Sequence, residues 1–315
     1  MFDITTRTLD WTLTKGPLVR RHPRRANSAP SIIMDALDLY TNLSGYGWNW
    51  SHRVHTPQKT RSENHIIFAL SALLSAAVHI FVFGISHRAM LSFAGTEDIS
   101  KGFTIFDATL PFFVRYFRAS IFAALTWIVS YTSSQVVYQL STVAGVLFFR
   151  QDTAQWPPAF DAPWRATSLG EFWGRRWHQW CRRKFLFLGG YPLSILLGRP
   201  GIILGGFLAS AVVHDILLVG LAGREAPWST LIAYCIMAMV VLAEYTFYRL
   251  TGRKVGGVVG WVWTMAWLLL FAALMTDGWA RAGGQGDSSI IDVVTPLRVL
   301  VERMMTGFDA WLRAI

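Results

Sequence analysis

The chain has 315 residues and a formal net charge of +10, yet only 15% of its residues are charged and 53% are hydrophobic. Because an average soluble protein carries about a quarter charged residues, this apolar excess excludes a disordered chain. Two cysteines, Cys181 and Cys235, are too few for a secreted disulfide scaffold. The basic charge leaves two kinds of anionic partner open, a nucleic acid and a lipid surface.

Several apolar runs are long enough to cross a membrane. A hydrocarbon core of about 30 Å requires about 20 helical residues. The fold class is therefore all-α, a polytopic helical membrane protein with about five or more transmembrane helices. The run at 119–147 fits either one tilted helix or two short ones broken near 132–134. The predicted spans are 66–85, 119–147, 200–221, 228–248 and 257–276.

A further apolar run at 185–198 is too short for an upright span. Gly189, Gly190 and Pro192 interrupt it, and broken runs of this kind often re-enter the membrane or lie at its interface. We therefore predict a possible re-entrant segment here. If the segment crosses instead, every later span is inverted.

Lysine and arginine are distributed unevenly between the two predicted sides. With a cytosolic N-terminus, 1–65, 150–184 and 249–256 hold 19 of the 29 cations, and the other ten, Arg199 among them, fall on the opposite side. This asymmetry follows the positive-inside rule. Membrane lipids therefore account for the charge, and no nucleic-acid partner is predicted.

The composition also predicts three regions. Residues 1–63 form a polar, basic cytosolic segment without the apolar core of a cleaved signal peptide. Residues 64–280 form the membrane domain, and 281–315 form a tail with a possible short amphipathic helix over 295–311.

Motifs of several common chemistries do not occur in the sequence. It has no Gly-x-Ser-x-Gly elbow, no phosphate loop ending in Gly-Lys-Ser/Thr, no His-Glu-x-x-His and no paired Cys-x-x-Cys. Dinucleotide-binding, zinc and serine-hydrolase functions therefore lack support, and we predict neither a metal nor a redox cofactor.

Four ionisable residues lie inside the predicted spans: His79, His214, Asp215 and Glu244. Such groups cost several kcal/mol, so they are either functional or buried with a partner. A neutral histidine, with an ordinary pKa of about 6.5, suits a general base. A packing role is favoured for His79 and an interfacial one for Glu244, whereas His214 leaves structural and catalytic roles equally open.

The contexts of the two histidines are alike. Ser75-Ala-Ala-Val-His79 resembles Ser210-Ala-Val-Val-His214, which the sequence alone does not explain. Small residues precede His214 at helical spacing and predict close approach of another helix or a ligand. They are Gly205, Gly206, Ala209 and Ser210.

A second polar constellation lies at 168–185. Ser168 and Glu171 have the spacing of a capping box, which predicts a helix beginning here. The pattern fits an interfacial amphipathic helix without chemistry, or a helix whose cations bind the phosphates of an anionic cofactor. The aromatic stripe predicted on this helix is Phe172, Trp173, Trp177 and Trp180.

Three motifs together carry a family resemblance. Gly45-Tyr-Gly-Trp-Asn-Trp50, Glu171-Phe-Trp-Gly-Arg-Arg-Trp-His178 and Ser210-Ala-Val-Val-His214, in this order, resemble the wax-synthase-like branch of the membrane-bound O-acyltransferases (MBOAT), over 35–280. The fungal members that acetylate terpenoid and meroterpenoid alcohols are especially similar. The resemblance implies an MBOAT-like bundle in the endoplasmic reticulum. It also implies transfer of an acetyl or other acyl group from CoA to a lipophilic alcohol.

The resemblance also implies roles for particular residues. His214 corresponds to the membrane histidine of the family, which implies a general base. His178 corresponds to the polar residue of the Phe-Trp motif, which implies that it orients the thioester or donates to the oxyanion. The implied candidates for binding acetyl-CoA are Trp173, Trp177, Arg175, Arg176, Arg182, Arg183 and Lys184.

Two alternatives remain open. A transporter or channel would use His79, His214 and Glu244 as a polar pathway, although hydropathy shows no inverted repeat. A truncated, inactive relative is the other alternative, since family members generally have additional spans before the Gly-Trp-Asn-Trp motif. The sequence determines neither the acceptor alcohol nor the oligomeric state.

Overall fold

The computed structural model describes residues 2–12, 16–21, 31–42, 45–50, 55, 62–94, 101–222, 228–283 and 295–314. These residues form helices and loops without a β-strand, apart from one isolated antiparallel bridge between Arg20 and Trp48. The all-α class is therefore confirmed. The α-helices are α1 (Phe2–Thr12), α2 (Ser31–Thr41), α3 (His65–Ala94), α4 (Phe112–Leu147), α5 (Leu169–Glu171), α6 (Gln179–Phe185), α7 (Tyr191–Leu197), α8 (Arg199–Ala222), α9 (Trp228–Thr251), α10 (Gly257–Arg281) and α11 (Thr295–Ala314).

Within the described part of the chain, five helices are long and apolar enough to cross a membrane. Each contains one of the five predicted spans and extends it at one or both ends. The protein is thus a polytopic helical membrane protein. The spanning ranges are His65–Phe93, Phe112–Leu147, Arg199–Gly220, Trp228–Thr251 and Gly257–Arg281.

Helix α4 is continuous through residues 132–134, where the sequence also allowed a break into two shorter helices. Its hydroxyl groups bond back to carbonyls of the preceding turn: Thr132 Oγ1 donates to Ile128 at 2.7 Å, and Ser134 Oγ donates to Ser130 at 2.8 Å. Hydroxyl groups bonded in this way stay within the helix and do not end it. With 36 residues, α4 is about 54 Å long, well above the ~30 Å of a hydrocarbon core.

The chain forms two compact units. Unit 1 comprises Met1–Leu74, Tyr138–Ala209 and Ala238–Thr264, and unit 2 comprises Ser75–Val137, Ser210–Met237 and Met265–Ile315. Each of the five long helices contributes residues to both units.

The apolar segment at 185–198 starts and ends within unit 1. A π-helical turn, Leu186–Gly190, leads into the seven residues of α7, which end at Gly198 with a φ of +62°. Arg199, which the charge count assigned to the opposite side, lies in unit 1 as well. The re-entrant course of the segment stays a prediction.

Glycines set the contact between this segment and α8. A Cβ atom built on Gly189 would lie 2.0 Å from the carbonyl oxygen of Gly205, and one built on Gly205 would lie 2.1 Å from that of Gly189. Gly201 approaches the carbonyl of Leu193 in the same way, at 2.3 Å. Of the small residues predicted to permit close approach on α8, Gly205 therefore does so with backbone against backbone.

In unit 2, the C-terminal helix packs on the ends of α3 and α4. Phe308 meets Phe93 edge to face, with ring centroids 6.3 Å apart, and Asp309 pairs with the buried Arg118. Arg118 also donates to the carbonyl of Phe93. The amphipathic helix predicted over 295–311 is thus an ordered helix that extends to Ala314.

Candidate functional site

Residues 168–185, called the Trp-His segment below, begin at Ser168 as the sequence predicts. Its Oγ accepts a hydrogen bond from the Glu171 backbone N–H at 3.0 Å. The single helix expected over 168–185 is wrong, however. The three residues of α5 pass into a π-helical turn, Phe172–Arg176, the chain is extended at Trp177, and α6 begins at Gln179. The Trp177 carbonyl accepts from the Gln179 side chain at 2.9 Å instead of from the next helical turn.

A carboxylate–guanidinium pair holds this broken helix. Glu171 accepts from Arg176 Nε at 2.7 Å and from the Thr167 backbone N–H at 2.9 Å. Arg176 also donates to the Asp161 carbonyl at 2.8 Å. Burial alone would raise the pKa of Glu171, but the Thr167 and Arg176 hydrogen bonds outweigh it and hold the pKa below its usual value.

His178 lies at the break, enclosed by aromatic rings. The distances from its ring centroid are 5.4 Å to Trp177, 6.0 Å to Trp180, 6.1 Å to Phe185 and 6.5 Å to Trp173. Three of the four residues of the predicted stripe, Trp173, Trp177 and Trp180, therefore surround one imidazole together with Phe185 and do not form a row along one helix face.

Arg183 connects the Trp-His segment to the N-terminal region of unit 1. Its guanidinium makes two hydrogen bonds of 2.7 Å to the carboxylate of Asp10, and it donates to the carbonyl of Trp50. The guanidinium carbon also lies 4.9 Å from the Trp50 ring centroid. The Gly-Trp-Asn-Trp motif thus supports the Trp-His segment through a nearly buried ion pair.

Two of the five candidate phosphate-binding cations therefore form ion pairs with carboxylates of the protein. Arg176 is paired with Glu171 and Arg183 with Asp10. Arg175 is exposed, whereas Arg182 and Lys184 are half-buried. Burial lowers the pKa of Lys184.

The carboxylate of Glu244 binds the N-terminus of α5. It accepts from the backbone N–H groups of Leu169 and Gly170, each at 2.9 Å, and from the indole of Trp263 at 3.0 Å. An anion at this place satisfies N–H groups that a helix leaves without intrahelical partners. Glu244 is therefore a structural anchor of the Trp-His segment.

His214 lies in unit 2 on α8. Its Nδ1 is 2.7 Å from the backbone carbonyl oxygen of Ser210, one helical turn earlier. A carbonyl oxygen only accepts, so Nδ1 carries the proton and Nε2 presents its lone pair. The ring of Tyr234 on α9 lies 5.2 Å away. The helix itself thus prepares His214 as a hydrogen-bond acceptor and a base at Nε2.

His79, also in unit 2, repeats the arrangement of His214. Its Nδ1 lies 2.7 Å from the carbonyl oxygen of Ser75, and its ring is 5.8 Å from that of Tyr131 on α4. The similarity of the two sequence contexts is therefore explained: each Ser-x-x-x-His turn places a backbone carbonyl against Nδ1. In the part of the chain that the structure describes, no three metal-ligating side chains come together.

The chain is similar to a known protein family over part of its length. Residues 156–239, which include both His178 and His214, match the model of the membrane bound O-acyl transferase family. The family match covers the break at His178, the segment at 185–198, α8 and the first half of α9.

Several individual proteins with acyltransferase names are also similar to the chain. Acetyltransferase ple2 of Rhodocybe pseudopiperita is 27% identical over 255 residues, 73% of this chain and 62% of the relative. Acetyltransferase aurG of Calcarisporium arbuscula is 29% identical over 189 residues, 55% of this chain and 43% of the relative. A probable long-chain-alcohol O-fatty-acyltransferase 6 of Arabidopsis thaliana is 33% identical over 101 residues, 30% of this chain and 29% of the relative. The chain thus spans less than two thirds of the length of each.

Sequence reasoning missed several residues that build these sites. Asp10 is separated from Arg183 by 173 positions, and no local pattern links them. Tyr234 follows His214 by a whole helical connection, so only the packing of α9 on α8 brings the rings together.

Proposed function

We propose that the protein is an O-acyltransferase that moves an acetyl group from acetyl-CoA to a hydroxyl of a lipophilic, terpenoid-like alcohol. The observation that carries the proposal is the contact between His214 Nδ1 and the Ser210 carbonyl, which leaves Nε2 of the neutral imidazole as an acceptor inside a membrane helix. The family match adds the reaction class, and the names of the fungal relatives add the acetyl group.

His214 acts as a general base in this proposal. Nε2 takes the proton of the acceptor hydroxyl as the alcohol oxygen bonds to the thioester carbonyl carbon. The carbon–sulfur bond then breaks, and the CoA thiolate leaves and takes up the proton. Base assistance of this kind is worth about 10²–10⁴-fold in rate, and the thiolate is a good leaving group without further activation.

The Trp-His segment binds the acyl-CoA in this proposal. His178 donates to the thioester carbonyl oxygen, and the rings of Trp173 and Trp177 flank it. Arg175, Arg182 and Lys184 contact the CoA phosphates in this proposal. Arg176 and Arg183 instead pair with Glu171 and Asp10. No metal takes part in the proposed reaction.

The proposal places unit 1 on the cytosolic side of the endoplasmic reticulum membrane, where acetyl-CoA is available. The ranges of unit 1 hold 20 of the 29 lysines and arginines, and the positive-inside rule assigns such an excess to the cytosol. The N-terminus is then cytosolic, and membrane lipids surround the five spans.

Microsomes containing the protein test this function. They are incubated with labelled acetyl-CoA or labelled palmitoyl-CoA and a panel of terpenoid and long-chain alcohols. We expect labelled ester with acetyl-CoA and a terpenoid alcohol, and loss of the ester with His214→Ala. Efficient palmitoyl transfer would instead indicate a fatty-acyl donor, which the name of the plant relative specifies.

Two other outcomes would contradict the proposal. Equal transfer by His214→Ala and the parent protein would remove the base assignment. Absence of any transfer, together with solute flux in proteoliposomes, would favour a transporter. Absence of both would favour a relative without activity.

A further inference from the structure

A second polar cluster in unit 2, on α3 and α4, has no role in the proposed acyl transfer. It consists of His79, Tyr131 and Gln135. The carbonyl of Ser75 fixes the proton of His79 on Nδ1, so Nε2 is a hydrogen-bond acceptor. The Tyr131 ring lies 5.8 Å from the imidazole, and its hydroxyl accepts from Gln135 Nε2 at 2.9 Å.

Gln135 carries an unsatisfied group. Its side-chain oxygen Oε1 is buried and has no hydrogen-bond partner among the described residues, and the residue as a whole is 8% exposed. Leaving a buried acceptor without a donor is costly, and lipid tails offer no donor. An amide oxygen in this position therefore indicates a donor that the described residues do not supply.

The chemistry of the cluster selects a hydroxyl group. Gln135 Oε1 accepts, so the missing group must donate. If the amide is turned by 180°, its nitrogen becomes the unsatisfied atom and needs an acceptor. A hydroxyl both donates and accepts, so it satisfies either orientation, whereas an ether or a hydrocarbon does not donate.

We propose that His79, Tyr131 and Gln135 form a second binding site for the hydroxyl of a lipophilic alcohol. The site does not require acyl transfer: the hydroxyl donates its one proton to Gln135 Oε1 beside His79 and Tyr131, and the chain of the alcohol lies among the apolar residues of α3 and α4.

Photoaffinity labelling tests the site. The probe is a 15-carbon primary alcohol that carries a diazirine and an alkyne, and its methyl ether is the matched control. After irradiation of the purified full chain in detergent, labelled peptides are mapped by mass spectrometry. We expect labelling of peptides that contain His79 or Gln135 by the alcohol, about five- to tenfold above the ether, as the loss of one hydrogen bond predicts. Excess unlabelled 1-pentadecanol should compete.

Variants separate this site from the proposed catalytic one. The double variant His79→Phe/Gln135→Met should reduce labelling of these peptides to the level of the ether, whereas Ser130→Ala, an exposed change on α4, should leave it unchanged. His214→Ala should also leave it unchanged, so failure of the acyltransferase proposal does not affect the result. Equal labelling by alcohol and ether in the parent protein, which needs no variant to fold, would overturn the proposal.

Discussion

Nδ1 of His214 lies 2.7 Å from the backbone carbonyl oxygen of Ser210, whereas the Ser210 hydroxyl oxygen is 3.5 Å from the same atom. The carbonyl is therefore the partner that fixes the tautomer. A carboxylate commonly orients a catalytic histidine, but a main-chain atom does so here, and Asp215 on the next position does not contribute to it.

The first prediction follows from this geometry. His214→Ala should lower the rate of acyl transfer about 10²–10⁴-fold because the base is removed. Ser210→Ala should retain most of the rate because it keeps the backbone carbonyl. Turnover is measured with both variants at matched amounts of folded protein. A large loss with Ser210→Ala would show that the hydroxyl and not the carbonyl prepares the base.

The second prediction separates structural from cofactor-binding cations. Arg183→Met leaves Asp10 buried without its cation, and breaking such a pair costs about 3–5 kcal/mol. Arg175→Met, an exposed change, should leave stability unaltered and raise KM for acyl-CoA. Thermal unfolding in detergent and initial-rate kinetics distinguish the two. Equal destabilisation by both variants would contradict the assignment.

The third prediction concerns the glycine contact between the segment at 185–198 and α8. Gly205→Ala forces a Cβ to within 2.1 Å of the Gly189 carbonyl oxygen, and overpacking of this kind costs about 1–3 kcal/mol. Gly206→Ala is the matched control, because its Cβ would lie 3.7 Å from the nearest atom, Leu186 Cδ2. We expect a lower Tm for the first variant and an equal or higher Tm for the second. The reverse order would refute the contact.

The fourth prediction is a pH dependence of stability. The pKa of Glu171 is held below its usual value, so Glu171 stabilises the folded state fully above its unfolded pKa of about 4.3. That contribution is lost as the pH falls through the lower folded-state pKa. The Tm difference between the parent protein and Glu171→Gln should therefore shrink between neutral pH and about pH 3. A difference that stays constant with pH would argue against an ionised Glu171.

Apolar length and the Ser-x-x-x-His pattern were readable from the sequence because both depend on near neighbours. The five spans and the cap at Ser168 are confirmed by the structure. A helical turn also fixes which backbone carbonyl lies against His214, since residues four apart face each other. These features need no tertiary information.

The break at His178 could not be predicted in the same way. Phe172, Trp177 and Trp180 have helical spacing, but side-chain bonds from Gln179 and Arg176 to backbone carbonyls compete with the helix. The partner of Arg183 lies 173 residues away. Which cations are paired within the protein therefore depends on the tertiary fold, and the sequence pattern alone gave all five the same role.

The Gly189–Gly205 contact also bears on how the protein tolerates substitution. Two main chains meet there without intervening side chains, so the position of the segment depends little on the volume of neighbouring residues. Substitutions elsewhere on α7 and α8 should therefore leave this junction in register.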